Sequence, residues 1–300
     1  MITRVATFAM SERMLEASLR TQARMSEAQL QQASGTVSSD YGGLGRSAGT
    51  LVSLEVSLAR SKSQASAAEE AGSRVQVMSD AVGAMSELLS SFRSSLSSAI
   101  SAGGDDTTLT ATAQSLLEEF ASLLNTRFEG RYLFAGSDTG TVPVDLSAYA
   151  ATDVATQDTS YYQGNGVKAS VALSPERTLT YGVTGDAAAF EQAMRALSAL
   201  ASAPTLPDTA TLQAISELTV NAIDALAAVQ GKLSIDAATL ERSVAAQADH
   251  QDTTTSLIAA THGADVTALA VALSSYETQL QASYAALAKV QSLNLMDYLN

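Results

Sequence analysis

The 300-residue chain has no cysteine, four prolines and 5% aromatic residues. The missing cysteine rules out disulfide staples and thiolate chemistry, so no particular redox compartment is required. Basic residues are scarce too: 17 Lys and Arg against 31 Asp and Glu leave a formal charge of −14 at pH 7. Such a surface suits neither the phosphates of nucleic acid nor an anionic lipid surface. Neither nucleic acid nor membrane is expected as a partner. No stretch is expected to reach the roughly 18 apolar residues of a membrane span. The opening MITRVATFAMSERMLEAS has no continuous apolar run ahead of a small-residue cleavage site. A cleaved secretory signal is therefore not expected.

The prolines are Pro143, Pro175, Pro204 and Pro207, all in the middle of the chain. A proline costs about 3 kcal/mol inside a helix, so the proline-free flanks are open to long helices. Their patterning agrees. Val75, Met78, Val82, Met85, Leu89, Phe92, Leu96 and Ile100 recur at alternating steps of three and four, the narrow stripe of a coiled-coil seam. Gly103 and Gly104 are expected to end that helix, with Asp105, Asp106 and Thr107 capping the next. Leu109, Leu116, Leu117, Phe120, Leu124 and Phe128 continue on one broad face. Near the other end, Val266, Leu269, Leu273, Tyr276, Leu280, Ser283, Leu287 and Val290 repeat the same spacing. A less regular helical run covers Leu212 to Val244, and the polar AQADHQDTTT at 246–255 predicts a solvated stretch or a break.

Between the flanks, residues 136–186 are rich in glycine, and VKASVAL (167–173) and RTLTYGV (177–183) alternate as short strands do. Residues 187–201 turn helical again. The fold class expected is mainly α with a β-rich insertion. Both chain ends build a long antiparallel helical bundle or coiled coil, and the small β-containing domain projects from one end of it. The expected boundaries are 1–45 for a loosely helical or disordered N-terminal segment and 46–135 for the first half of the bundle. The insertion then takes 136–186, the second half of the bundle 187–262, and a C-terminal coiled-coil helix 263–300. The aromatics Phe128, Tyr132 and Phe134 sit where helix gives way to strand and are expected to plug the bundle end.

The seams at the two ends have no dedicated internal cover. They pack either on each other or on neighbouring molecules.

Patterns that carry chemistry are weak. Asp138-Thr139-Gly140 spells the aspartic-protease tripeptide once, whereas that reaction needs two carboxylates sharing a proton. A capped turn is the simpler reading. His250 and His262, the two histidines, are twelve apart and lack a metal-ligand partner at helical spacing. No phosphate-binding glycine loop is present. No catalytic residue, cofactor or metal is expected.

Three stretches resemble the bacterial flagellin superfamily. They are SLLNTRFEGRYLFAGSDT (122–139), SYYQGNG (160–166) and QLQASYAALAKVQSLNLMDYLN (279–300). The last is most similar to the members that join hook to filament, with filament flagellin as the alternative. Two loops depart from the family pattern: SSDYGGLG keeps Asp40 but has no proline, and HGAD keeps Asp265 alone. The resemblance implies a non-enzymatic, extracellular component of the flagellum, exported without a cleaved signal. Its implied partners are copies of itself in a ring, the hook-side hook-associated protein, flagellin and an export chaperone. The implied assembly contacts are Leu15 and Leu19 near the N-terminus, and Leu273, Tyr276, Leu280, Leu287, Val290, Leu293 and Leu295 near the C-terminus. A hydrolase using Asp138 is the remote alternative.

Overall fold

The computed structural model describes the backbone of residues 2–102, 108–147 and 149–299. Side chains are described for 9–101, 108–147 and 149–290. The sequence-predicted caps at 103–107 lie outside the described residues.

The described elements are mainly helical, with two small antiparallel hairpins, as the sequence predicts. In chain order they are α1 (Ile2–Ser34), a 3-10 turn (Gly42–Leu44), α2 (Ser47–Ala102), α3 (Thr108–Leu124), β1 (Arg127–Phe128) and β2 (Arg131–Tyr132). Then follow β3 (Ala169–Ser174), β4 (Arg177–Tyr181), α4 (Ala188–Ala201), α5 (Thr209–His262) and α6 (Val266–Leu299). The chain divides into two compact units. One comprises 1–60 with 250–300, the other 61–249. The polar stretch 246–255 does not break α5, because its side chains find partners. Gln247 receives the Ser61 hydroxyl at 2.8 Å and donates to the Leu173 carbonyl at 3.0 Å.

Unit 2 (61–249) holds the hydrophobic core. Val75, Val82, Met85, Leu89, Phe92 and Leu96 of α2 are fully buried, together with Phe120 and Leu124 of α3 and Ile215, Leu226 and Leu233 of α5. By length and composition, α5 does contain one window apolar enough to cross a membrane, which corrects the sequence expectation. Its Leu and Ile face is built into the unit 2 core, as expected of a core helix.

The segment 130–136 is the hub of the insertion. β1 and β2 are joined by the two-residue loop Glu129-Gly130, with φ of 50° and 77°. Two left-handed residues give the turn whose twist matches that of paired strands. Arg127 stacks over the Tyr132 ring, 4.1 Å from its centroid. From there each residue ties down a different loop. Tyr132 N–H donates to Thr139 O at 2.9 Å and Leu133 N–H to Thr126 O at 3.1 Å. Phe134 O accepts from Gly185 N–H at 2.8 Å, and Ala135 O from Asn165 N–H at 3.1 Å. Asn125 mimics a strand: its amide donates to Val144 O at 3.0 Å and accepts Val144 N–H at 2.9 Å. Phe134 is fully buried and meets Phe190 of α4 edge-on at 5.6 Å. Phe134 thus packs the start of the insertion against α4. Gly136 has to be glycine. Its φ is 74°, and a Cβ would lie 2.1 Å from Asn165 O.

A buried ion pair completes this region. Arg195 Nε donates to Glu191 Oε1 at 2.8 Å, and both residues are almost wholly buried. Arg195 also donates to Val154 O, and Glu191 accepts Asp158 N–H at 2.9 Å, so the pair pins the loop around 154–158 to α4.

Candidate assembly interface

Unit 1 (1–60 and 250–300) is built differently. Helices α1 and α6 pack against each other, and a short bridge joins the end of α1 to the start of α6, so they run antiparallel. Thr36 pairs with Gly263, Val37 N–H donates to His262 O at 2.9 Å, and Ala264 N–H donates to Gly35 O at 2.9 Å. His262 Nε2 donates to Ser38 O at 2.7 Å; a carbonyl only accepts, which places the ring proton on Nε2. The acids retained in the two loops are caps. Asp40 Oδ1 accepts Gly43 N–H at 2.9 Å at the 3-10 turn. Asp265 Oδ1 accepts the N–H groups of Thr267 and Ala268, each at 3.0 Å, at the start of α6. Tyr41 donates to Glu55 at 2.7 Å, and that bond raises the Tyr41 phenol above its ordinary range.

The face that α1 turns inward mixes small and polar side chains with two methionines. Ser11, Met14, Ser18, Thr21, Met25, Ala28 and Gln31 are its half-buried and buried positions among the described side chains, at steps of three and four. Facing it, α6 buries Leu280 and half-buries Leu273, Tyr276, Leu287 and Val290. The larger apolar residues of α1 point away. Leu15 is 49% exposed and Leu19 56%. The inward position is therefore Met14, whereas Leu15, Leu19 and Leu30 lie on the outer side. Among the described residues, twelve of the fifteen exposed large hydrophobics lie in unit 1. The buried hydrophobics of unit 1 there are only Ala28, Leu51 and Leu280, whereas the core cluster lies wholly within 68–240.

The sequence-predicted contact residues therefore fall on two surfaces. Leu273, Tyr276, Leu280, Leu287 and Val290 form the seam toward α1, whereas Leu15 and Leu19 form an outward face. The side chains of Leu293 and Leu295 lie outside the described residues. Phe128, Tyr132 and Phe134 belong to unit 2, on and just after the β1–β2 hairpin.

The residues weighed for chemistry have structural partners. Asp138 is exposed and accepts the Thr141 hydroxyl at 2.8 Å, the capped turn expected of it. His250 is exposed and bonds the Ser57 hydroxyl at 3.0 Å. Among the described residues no cluster of three His, Cys, Asp or Glu is placed to hold a metal. One pattern escaped the sequence reading. Gly45-Arg46-Ser47-Ala48-Gly49 has the G-x-S-x-G spacing of a hydrolase nucleophile turn. That turn needs a strand before it and strained backbone at the serine. Here Ser47 opens α2 after a 3-10 turn, and Glu129 is the sole non-glycine residue with positive φ among the described residues.

With this geometry, residues 5–139 match the family model of the bacterial flagellin N-terminal helical region. No curated protein matches the chain significantly. Among solved structures, a candidate flagellar hook-associated protein from Vibrio parahaemolyticus is similar in fold. It has 18% identity and a TM-score of 0.55 over 74% of this chain and 98% of that one. FlgL of Bacillus cereus is a more distant likeness, with 15% identity and a TM-score of 0.43 over 70% of this chain and 96% of that one. Residues 5–139 are thus flagellin-like in sequence, and the likeness to the Vibrio structure is one of fold.

Proposed function

We propose that this chain is a structural subunit of the flagellar axis that joins hook to filament by packing unit 1 against neighbouring subunits. One observation carries the reading: unit 1 turns its large apolar side chains outward in a chain whose residues 5–139 match a flagellin helical region. Apolar surface gains roughly 25 cal/mol per Å² on burial, and unit 1 gains it only when other subunits cover Leu15, Leu19 and their neighbours. Ordering two long helices costs conformational entropy, and the described hydrophobics that unit 1 buries fully are only Ala28, Leu51 and Leu280. Docking to neighbours completes the fold. The partners in this reading are copies of the same chain in a ring, the hook-side hook-associated protein, flagellin, and a chaperone before export. The work is done by packing, without catalysis, and the site of action is extracellular, reached without a cleaved signal.

The test is immunogold electron microscopy with antibody against the 137–185 insertion. A single cluster of label where hook meets filament is expected. Label along the whole filament would make the chain a filament subunit instead, and no label on the flagellum would contradict the proposal.

A further inference from the structure

Unit 2 carries a groove that its own chain leaves unfilled. A cavity of about 400 Å³ between α2 and α5 is lined by Ala68, Gly72, Ala237, Leu240 and Val244, with the exposed Glu69 and Glu241 beside them. Gly72 lies well inside α2, where glycine destabilises a helix relative to alanine. A Cβ there would meet nothing within 4 Å. No neighbour in this chain needs the space, whereas the close approach of another chain would use it. Glu69 and Glu241 form no ion pair among the described residues. An apolar floor beside two unneutralised carboxylates is complementary to an apolar side chain with a cation next to it.

The same unit displays such a pair. Its exposed large hydrophobics among the described residues are Val142, Val167 and Ile235. Ile235 is flanked by Ser234 and Asp236, and Val142 by Thr141 and Pro143; only Val167 has a basic neighbour, Lys168. Val167 is 60% exposed, and Lys168 is exposed and makes no ion pair among the described residues.

We propose that the α2–α5 groove of one copy receives Val167 and Lys168 of a second copy. Val167 packs over Gly72 and Leu240, and the lysine lays its stem along the wall and brings its ammonium to Glu69 or Glu241. Knob and groove are different surfaces, so the contact is head-to-tail. It repeats around a ring or helix rather than closing a two-fold pair. This rests on the assembly reading above and adds to it a lateral contact through unit 2.

The chain has no native cysteine, so single Gly72→Cys and Val167→Cys variants can be co-expressed and treated with a short bismaleimide. A cross-linked dimer then reports contact between copies only. It is expected both in isolated flagella and in the concentrated purified chain. Adding Lys168→Glu should abolish the dimer, and further adding Glu69→Lys with Glu241→Lys should restore it. Gold label at the hook–filament boundary without cross-linking in either preparation would overturn this inference and leave the assembly reading standing. Cross-linking in the purified chain with no label on flagella would do the reverse. A dimer indifferent to the charge reversals would also overturn the proposed contact.

Discussion

His262 of α5 donates from Nε2 to the carbonyl of Ser38 at 2.7 Å, fastening the loop after α1 to the turn before α6. Val37 N–H returns the bond to His262 O at 2.9 Å, so one histidine holds this joint through both backbone and ring. Removing the ring in His262→Ala loses one hydrogen bond, worth about 0.5–1.5 kcal/mol. The expected result is faster amide exchange across residues 31–40, with the thermal transition of unit 2 unchanged.

Glu191 and Arg195 form the buried pair under the insertion. Breaking such a pair from one side leaves an uncompensated charge and costs about 3–5 kcal/mol. Arg195→Met should therefore destabilise unit 2 strongly in urea titration. The double variant Glu191→Leu with Arg195→Met should recover much of the loss, because no lone charge remains buried. Equal destabilisation in both variants would contradict this account.

Gly136 closes the aromatic segment. Gly136→Ala places a methyl 2.1 Å from Asn165 O at a φ of 74°. It should cost more than about 1 kcal/mol, read as a lower urea midpoint. Gly140, around which a Cβ meets nothing within 4 Å, should accept alanine with little change.

Alkali should loosen the insertion. Burial, aided by the Asp186 carboxylate, pushes the Tyr162 phenol from 10.0 up to about 12. A phenol whose folded pKa is raised stabilises the fold fully below its unfolded value. That stability is lost as pH rises from about 10 toward 12. Tyrosinate absorbance and circular dichroism should change together in that window. Tyr162→Phe should remove its share of the pH dependence.

The two sets of leucines should behave differently. Leu280→Asp puts a charge into the α1–α6 seam and should loosen unit 1 in the free chain. Leu15→Asp and Leu19→Asp sit on the outer face and should leave the free chain folded while blocking incorporation. Amide exchange on the free chain and the amount of subunit in sheared flagella separate the two effects.

Much of this was legible in the sequence. The stripe from Val75 to Leu96 and the strands around 171 and 179 could be read because each buries one side against a single core. Asn125 and Gly136 were visible as parts of a motif, but the bonds of Asn125 to the Val144 backbone and the close approach of Asn165 to Gly136 were not, since those contacts join segments distant in sequence. On α1 the reading took Leu15 and Leu19 as contacts to other molecules, and both lie on the side turned away from α6. Hydrophobicity marks what is covered only when the cover is in the same molecule, and on α1 the side facing α6 mixes Ser, Thr and Ala with Met14 and Met25 while the leucines face outward. At 246–255 polarity suggested a solvated stretch or a break; α5 runs through it, mostly exposed, and Gln247 spends its polar atoms on Ser61 and Leu173.

The central claim is that the outer face of unit 1 is an interface. Leu19 is 56% exposed in a chain without cysteine, so Leu19→Cys can be probed with a maleimide. Val142→Cys in the insertion serves as the exposed control. The account predicts that both react in the free chain, and that in intact flagella only Val142→Cys still does. Equal labelling of Leu19→Cys in free chain and assembled flagella would contradict it.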